Sequence, residues 1–387
     1  MMRHLRVPSH EIESTLSALR ASGWMQEGGR ILVDGDPDFR LIPLAQSAPE
    51  SLPIPLGEWL ILDAEAPSPT PRSYRDHLDD FLDDEIVNAH TDWPTGHETM
   101  GDLIVVKLDE SIIEFGEEIA QAMLTHHARI RLVLRDDGVK GEFRVRSLIP
   151  LAARTEGGEI LGVSKIPSVG DLDTIRLLST HTQVRESGYS LQVNPTLAYF
   201  SSRLSTEREV TLAAANKLRK ILGKPLRVCD PYAGVGPSLI PLLNQPGLVG
   251  EVFASDLNPD AVGLLEENLL PFSGNCEINT ECCDATTLAT RDSETSMEGH
   301  WDMLLVNIPH SALEHLPKII PLLAKGKPSL LRAWAVIDAG ESVTVERELL
   351  ELLSEHLSKQ HGGLSMHARR SYSTTAQLYR IEVWLHL

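Results

Sequence analysis

Cysteine is scarce: Cys229, Cys276, Cys282 and Cys283 are the four among 387 residues. None forms a Cys-x-x-Cys pair, and neighbours such as Cys282 and Cys283 rarely bridge each other. A disulfide framework or a zinc site is therefore not expected, and buried thiols in a reducing compartment are. Positive charge is also short. Thirty-five Lys and Arg stand against 55 Asp and Glu, giving a formal net charge of -20. That balance argues against nonspecific coating of nucleic acid but leaves room for a local basic patch. No apolar run approaches a membrane span. The opening MMRHLRVPSHEIESTL is charged and lacks an apolar signal core, so a cytoplasmic protein is expected. Internal repeats and long low-complexity tracts are missing too.

What is present is an ordinary soluble composition, 42% hydrophobic and 23% charged, on a chain long enough for two or three domains. Residues 1–64 read as a small α+β domain. HEIESTLSALRASGW has helical spacing, and two short strands flank an Asp-Gly-Asp-Pro turn. Residues 65–96 read as an acidic linker region, Pro/Ser-rich at first and then DHLDDFLDDEI. Residues 97–194 read as a second α+β domain. The strand GDLIVVKL, the helix SIIEFGEEIAQAMLTHHA and the strands IRLVLRDD, GEFRVRSLIPLAA and YSLQVNP mark it. Its stretch from His126 to Arg146 reverses the local charge, and it is expected to contact phosphates, with HARRSYS at 367–373 as a second candidate. EGGEILGVSKIPSVGDLDT, between about 152 and 180, has no purpose that the sequence reveals.

From 195 to 387 helices and strands alternate, which predicts a parallel sheet covered on both faces. STEREVTLAAANKLRKIL is the first helix, with Ser205 or Thr206 as its cap, and YSTTAQLYRIEVWL ends the sheet as a long pair or a single edge strand.

Chemistry gathers at the carboxyl ends of these strands. LRVCD runs into PYAGVGPSL, so Asp230 precedes Gly234 and Gly236. Glycine lets a ligand approach the backbone closely. A dinucleotide fingerprint would need a third glycine where Leu239 stands. The acid-then-glycine form suits S-adenosylmethionine instead: a carboxylate holds the amino group while the turn admits the thioether chain. EVFASD ends at Asp256, placed to accept from ribose hydroxyls, and ECCD ends at Asp284, placed to accept from an adenine amino group. The next strand, DMLLV, ends at Asn307, followed by Ile308 and Pro309. That amide would sit beside the reactive methyl and orient a nitrogen of a planar base. Pro309 would hold the turn rigid.

GVKGEFRVR, YFSSRLSTER, DPYAGVGPSLIPLL, FASDLNPDAV, LLEENL and LLVNIPHSALEHL occur in one order over about residues 97–316. Together they resemble the archaeal and eukaryotic tRNA (guanine-37-N1)-methyltransferases and their wybutosine-synthesis relatives. The resemblance implies a class I Rossmann-like methyltransferase domain preceded by two smaller α+β domains. The first of these grips the outer corner of tRNA. It implies S-adenosylmethionine as cofactor, tRNA as partner and no metal. By position, Arg208, Asp256, Leu257, Asp284, Ala285 and Asn307 match cofactor-contacting places. Glu207 matches the general base for the guanine N1 proton. Arg144 or Arg146 matches a catalytic arginine near guanine O6. The chemistry agrees: a weak N–H acid needs both a carboxylate and a nearby cation. A flipped guanine would stack on Tyr199 or Phe200. A monomer is expected, since one chain carries every part. Two other readings share the fold. One is aminocarboxypropyl transfer to a wybutosine precursor, which Asn307 disfavours. The other is a noncatalytic tRNA-binding protein, which Glu207, Asp256 and Asn307 disfavour.

Overall fold

The computed structural model describes residues 2–26, 29–52, 61–64, 72–143, 145–166, 172–292, 295–358 and 360–387. Contacts divide the chain into Met1–His77 and Leu78–Leu387. In the first unit, Met2–Pro8 lies between Phe39–Pro43 and Ile61–Ala64 in an antiparallel sheet. The helix Ile12–Ala21 buries Leu19, which shares a core with Leu5, Val7 and Ile42. Part of the expected linker lies outside the described residues. Tyr74–Asp80 is a 3-10 helix and Asp84–Ala89 an α-helix, so the division falls within the stretch 65–96 rather than at either of its ends.

In the second unit, five strands pair in chain order: Glu98–Met100, Leu103–Val106, Leu132–Lys140, Val145–Arg154 and Ile160–Gly162. The helix Gly116–His126 buries Ile119, Ala120 and Met123. The stretch near 152–180 supplies the last of these strands and the helix Leu172–Leu178. A separate hairpin pairs Thr182–Glu186 with Tyr189–Val193. Its turn holds Ser187 and Gly188 at positive φ, 46° and 89°, the left-handed pair that suits strand twist. The hairpin is tied on both sides. Thr182 Oγ1 donates to Asp102 Oδ1 at 2.6 Å. The Asn268 amide accepts from Gln192 N–H at 2.7 Å and donates to its carbonyl at 2.9 Å, as a neighbouring strand would.

The remainder is a seven-stranded sheet. Its strands are β1 (Leu226–Asp230), β2 (Val249–Asp256), β3 (Glu277–Cys282), β4 (Met303–Val306), β5 (Pro328–Asp338), β6 (Leu364–Ser371) and β7 (Ala376–His386). Their order is β3-β2-β1-β4-β5-β7-β6, parallel from β3 through β5, with β7 antiparallel to both its neighbours. Alternation decides which side each residue faces. Val228, Val252, Met303 and Leu305 join one core with Leu218 and Leu265. Cys229, Phe253, Leu304 and Val306 join the other with Leu316 and Leu349. The helices concerned are α1 (Ser205–Leu222), α2 (Pro259–Leu269), α3 (Ala312–Ile319) and α4 (Ser342–Leu353).

Two expectations change. A 3-10 turn, Ser202–Leu204, leads directly into α1, so the capping position falls on Leu204 and no side chain caps it. The chain's last segment is a hairpin whose final strand, β7, lies inside the sheet and leaves β6 on the edge.

Candidate active site

The sheet changes direction of winding between β1 and β4, which both pair with each other while their sequence neighbours lie outward. A crevice opens at the carboxyl ends of strands at such a point. Asp230, Asp256 and Asn307 occupy or directly follow the ends of β1, β2 and β4, and Asp284 stands two residues beyond β3.

Asp230 is buried, and Tyr232 N–H donates to its Oδ1 at 3.4 Å, a long contact. Burial raises its pKa to about 7, helped by the nearby Asp256. Gly234 and Gly236 have φ of 55° and 84°, so the turn requires them. A side chain at Gly236 would also sit 2.8 Å from Leu265 Cδ1. Asp256 accepts the N–H of Gly234 at 2.9 Å and that of Asn258 at 3.0 Å. Burial raises its pKa despite those donors. Asn258 caps α2 through Asp260 N–H and donates to Leu197 O at 2.7 Å, which fastens the loop before α1 to this edge. Leu257 is 49% exposed beside it, an apolar face on a polar rim. Asp284 accepts both the N–H and the hydroxyl of Thr286, which hold its pKa low. Ala285 next to it is buried.

Asn307 follows β4. Val306 pairs with Ala333 on β5, and Val336 N–H donates to Pro309 O at 2.8 Å. The turn is thus pinned at its proline by the adjacent strand. The Asn307 side chain makes no hydrogen bond among the described residues and is half-buried. Sequence reasoning gave no role to a pair that lies nearby: Tyr232 Oη and His315 Nδ1 are 2.7 Å apart. No spacing signals it, because 83 residues separate the two.

Glu207 is buried in the first turn of α1. Arg380 Nη1 donates to its Oε2 at 3.2 Å, Trp334 Nε1 donates to the same oxygen at 3.4 Å, and Arg369 forms an ion pair with Oε1. Arg369 therefore faces inward onto a carboxylate rather than outward as the second phosphate-binding stretch requires. Arg208 is buried as well. It pairs with Glu186, donates to Ser201 O at 2.8 Å and lies over the Phe200 ring. Phe200 is 3% exposed under that cation, whereas Tyr199 is 52% exposed. Tyr199 alone of the two presents a ring for stacking.

Arg144 lies outside the described residues. Arg146 Nη2 donates to Glu98 at 2.6 Å, while its Nη1 is buried without a hydrogen-bond partner among the described residues. Much of the basic stretch is internally engaged. Arg131 binds Asp102 and the carbonyls of Arg176, Leu177 and Ser179, and Arg135 pairs with Asp137. The exposed Arg176 and Arg185 line an open cleft of about 870 Å³. Among the described residues no helix is long and apolar enough to cross a membrane.

Two family models match parts of this chain. Residues 74–154 match the TYW2 N-terminal domain, and residues 182–328 match the TRM5/TYW2 methyltransferase domain. The chain is 27% identical over 327 residues to the tRNA (guanine(37)-N(1))-methyltransferase Trm5b of Pyrococcus abyssi, covering 83% of this chain and 81% of that protein. It is 26% identical over 234 residues to the tRNA (guanine(37)-N(1))-methyltransferase of Phytophthora infestans, covering 60% of this chain and 48% of that one. The crystal structure of Pyrococcus abyssi Trm5b superposes over 100% of both chains with a TM-score of 0.65 at 23% identity. A complex of aTrm5 with tRNALeu gives 0.67 over 99% of both chains at 20% identity, and a P. horikoshii TYW2 complex with MeSAdo gives 0.56 over 81% of this chain and 98% of that one at 17%.

Proposed function

We propose that this chain, which carries the domains of the TRM5/TYW2 methyltransferase family, transfers a methyl group from S-adenosylmethionine to N1 of guanosine 37 in tRNA. The observation that carries the reading is the row of Asp230, Asp256, Asp284 and Asn307 along the carboxyl edge of one sheet. The names of the relatives support it.

The residues present fit the cofactor. Asp230 is a buried carboxylate with one long protein contact, the environment an ammonium group completes. Asp256 has each oxygen engaged once by backbone and retains capacity for two ribose hydroxyls. Asp284 accepts from the adenine amino group, with Leu257 and Ala285 beside the ring. Gly234 keeps the floor free of a side chain, and Gly236 makes room for Leu265 of α2. Bound there, S-adenosylmethionine supplies a methyl carbon made electrophilic by its sulfonium.

Asn307 orients the guanine by its free amide, with the turn held by Pro309. Glu207 takes the N1 proton. Arg146 stabilises charge on O6 through its unpartnered Nη1, with Arg144 the alternative. Tyr199 stacks on the extruded base. Arg208, in the position that matches a cofactor-contacting place, acts here by bracing the loop at Ser201. The reading describes a monomeric, cytoplasmic enzyme, with the first domain gripping the outer corner of tRNA.

The test is nucleoside mass spectrometry of an unmodified tRNA transcript incubated with the protein and S-adenosylmethionine. N1-methylguanosine is expected, and it disappears when guanosine 37 is replaced. An aminocarboxypropyl adduct on a wybutosine precursor, with no methylation of guanosine, would overturn it.

A further inference from the structure

Glu207 presents a problem for its own role as a base. Both carboxylate oxygens are occupied in the free protein, Oε2 by Arg380 and Trp334 and Oε1 by Arg369. A guanine N1–H needs one of them.

The two arginines are held very differently. Arg380 lies in β7, between β5 and β6, and pairs across the sheet with Trp334. Its side chain is 10% exposed. Arg369 lies in β6, on the sheet edge, with a side chain 34% exposed. The register of β6 against β7 slips between Ala368 and Arg370, so Arg369 is the extra residue of a β-bulge. Bulges leave one residue unpaired and re-aim its side chain. This one turns Arg369 onto Glu207. The contact is close, yet among the described residues Oε1 lacks a donor of hydrogen-bond geometry. Arg369 therefore supplies charge to Oε1 without a directional bond, and one edge residue can swing away without unpairing a ladder.

Among the described residues, Arg332 is a further cation in these surroundings. Arg332, in β5 below Trp334, is fully buried and pairs with Glu382 of β7. On α1 itself, Arg208 is directed to Glu186 and Ser201.

We infer that Arg369 is a displaceable positioning residue: it holds Oε1 of Glu207 in the free enzyme, and the incoming guanine expels it, while Arg380 and Trp334 stay on Oε2. This rests on the reading of Glu207 as the base. In the step itself the N1–H bond breaks and its proton goes to Oε1. The N1 electron pair forms the bond to the methyl carbon, as the carbon–sulfur bond breaks and leaves its pair on sulfur.

The two arginines are separable by the split between kcat and KM, because a contact held only in the free enzyme opposes tRNA binding, whereas one kept in the complex acts on the chemical step. Arg369→Gln removes the group that guanine must expel, so KM for tRNA is expected to fall about threefold with kcat within about twofold of the parent. Arg380→Gln is expected to lower kcat about tenfold. Arg369→Lys keeps a charge at the site and is expected to keep the parent KM. A readout without turnover accompanies these: affinity for an unmodified tRNA transcript, measured without S-adenosylmethionine, should rise about threefold in Arg369→Gln. An unchanged affinity and KM, or a fall in kcat in Arg369→Gln equal to that in Arg380→Gln, overturns the inference while methylation continues. A parent protein that methylates nothing at guanosine 37 overturns the reading beneath it, and the inference with it.

Discussion

The N–H of Gly234 donates to Asp256 Oδ2 at 2.9 Å, so the glycine turn after β1 is latched to the tip of β2. One carboxylate thus shapes the floor of the crevice and lines its wall. Asp256→Ala removes both functions. Affinity for S-adenosylhomocysteine, measured by calorimetry, is expected to fall by roughly 100-fold, or nearly 3 kcal/mol. A dissociation constant within a factor of two of the parent would refute this role.

Asp230 ties ligand affinity to pH. It titrates near pH 7 in the fold because it is buried, and an ammonium group is held by its ionised form. Binding of S-adenosylhomocysteine should therefore strengthen by roughly tenfold between pH 5.5 and 7, and Asp230→Asn should abolish that rise. Stability runs the other way. Its pKa rises from 3.8 unfolded to about 7 folded, so between these values the unfolded chain releases its proton first. Asp230's contribution to stability then falls as pH increases through that window. Asp230→Asn should melt above the parent at pH 7.5, with the difference closing toward pH 4. A variant that melts below the parent at both pH values would contradict the burial argument.

Asn307 separates alignment from binding. Its amide is free among the described residues, so truncation leaves no partner stranded. Asn307→Ala should lower single-turnover methylation by roughly 100-fold, the scale of a lost positioning contact, while cofactor affinity stays within about threefold of the parent. A large fall in affinity with an unchanged rate would move Asn307 from the guanine to the cofactor.

Glu382 governs stability rather than chemistry. Arg332 is fully buried and Glu382 is its ion-pair partner. Burial already lowers the Arg332 pKa to about 10. Glu382→Ala leaves that charge uncompensated and should cost about 3 kcal/mol or more in chemical unfolding. Replacing Arg332 together with Glu382 by apolar residues should recover most of the loss.

How far the molecule was legible depended on distance along the chain. The crevice was readable because each polar residue stands at the end of its own apolar run, so Asp230, Asp256 and Asn307 are placed by local pattern. Glu207 could be named but its surroundings could not. Trp334 and Arg380 lie 127 and 173 residues downstream of it. Arg369 read as part of a phosphate-contacting candidate because a β-bulge is a property of two strands together, invisible in either one. Phe200 was a candidate for stacking, and Arg208 a cofactor-contacting place by the resemblance. In the fold they bury each other. The terminal segment carried strand residues throughout, but nothing local said which of its two strands would lie inside the sheet.

The engagement of Arg131, Arg135, Arg146 and Arg369 with carboxylates of the same chain has a thermodynamic consequence. Each phosphate neutralised by a free cation releases condensed counterions, and each such release steepens the dependence of binding on salt. Cations already neutralised from within contribute little to that release. On an acidic chain, RNA association should then decline only gently as ionic strength rises. The tRNA would be selected by the form of its folded surface more than by its charge.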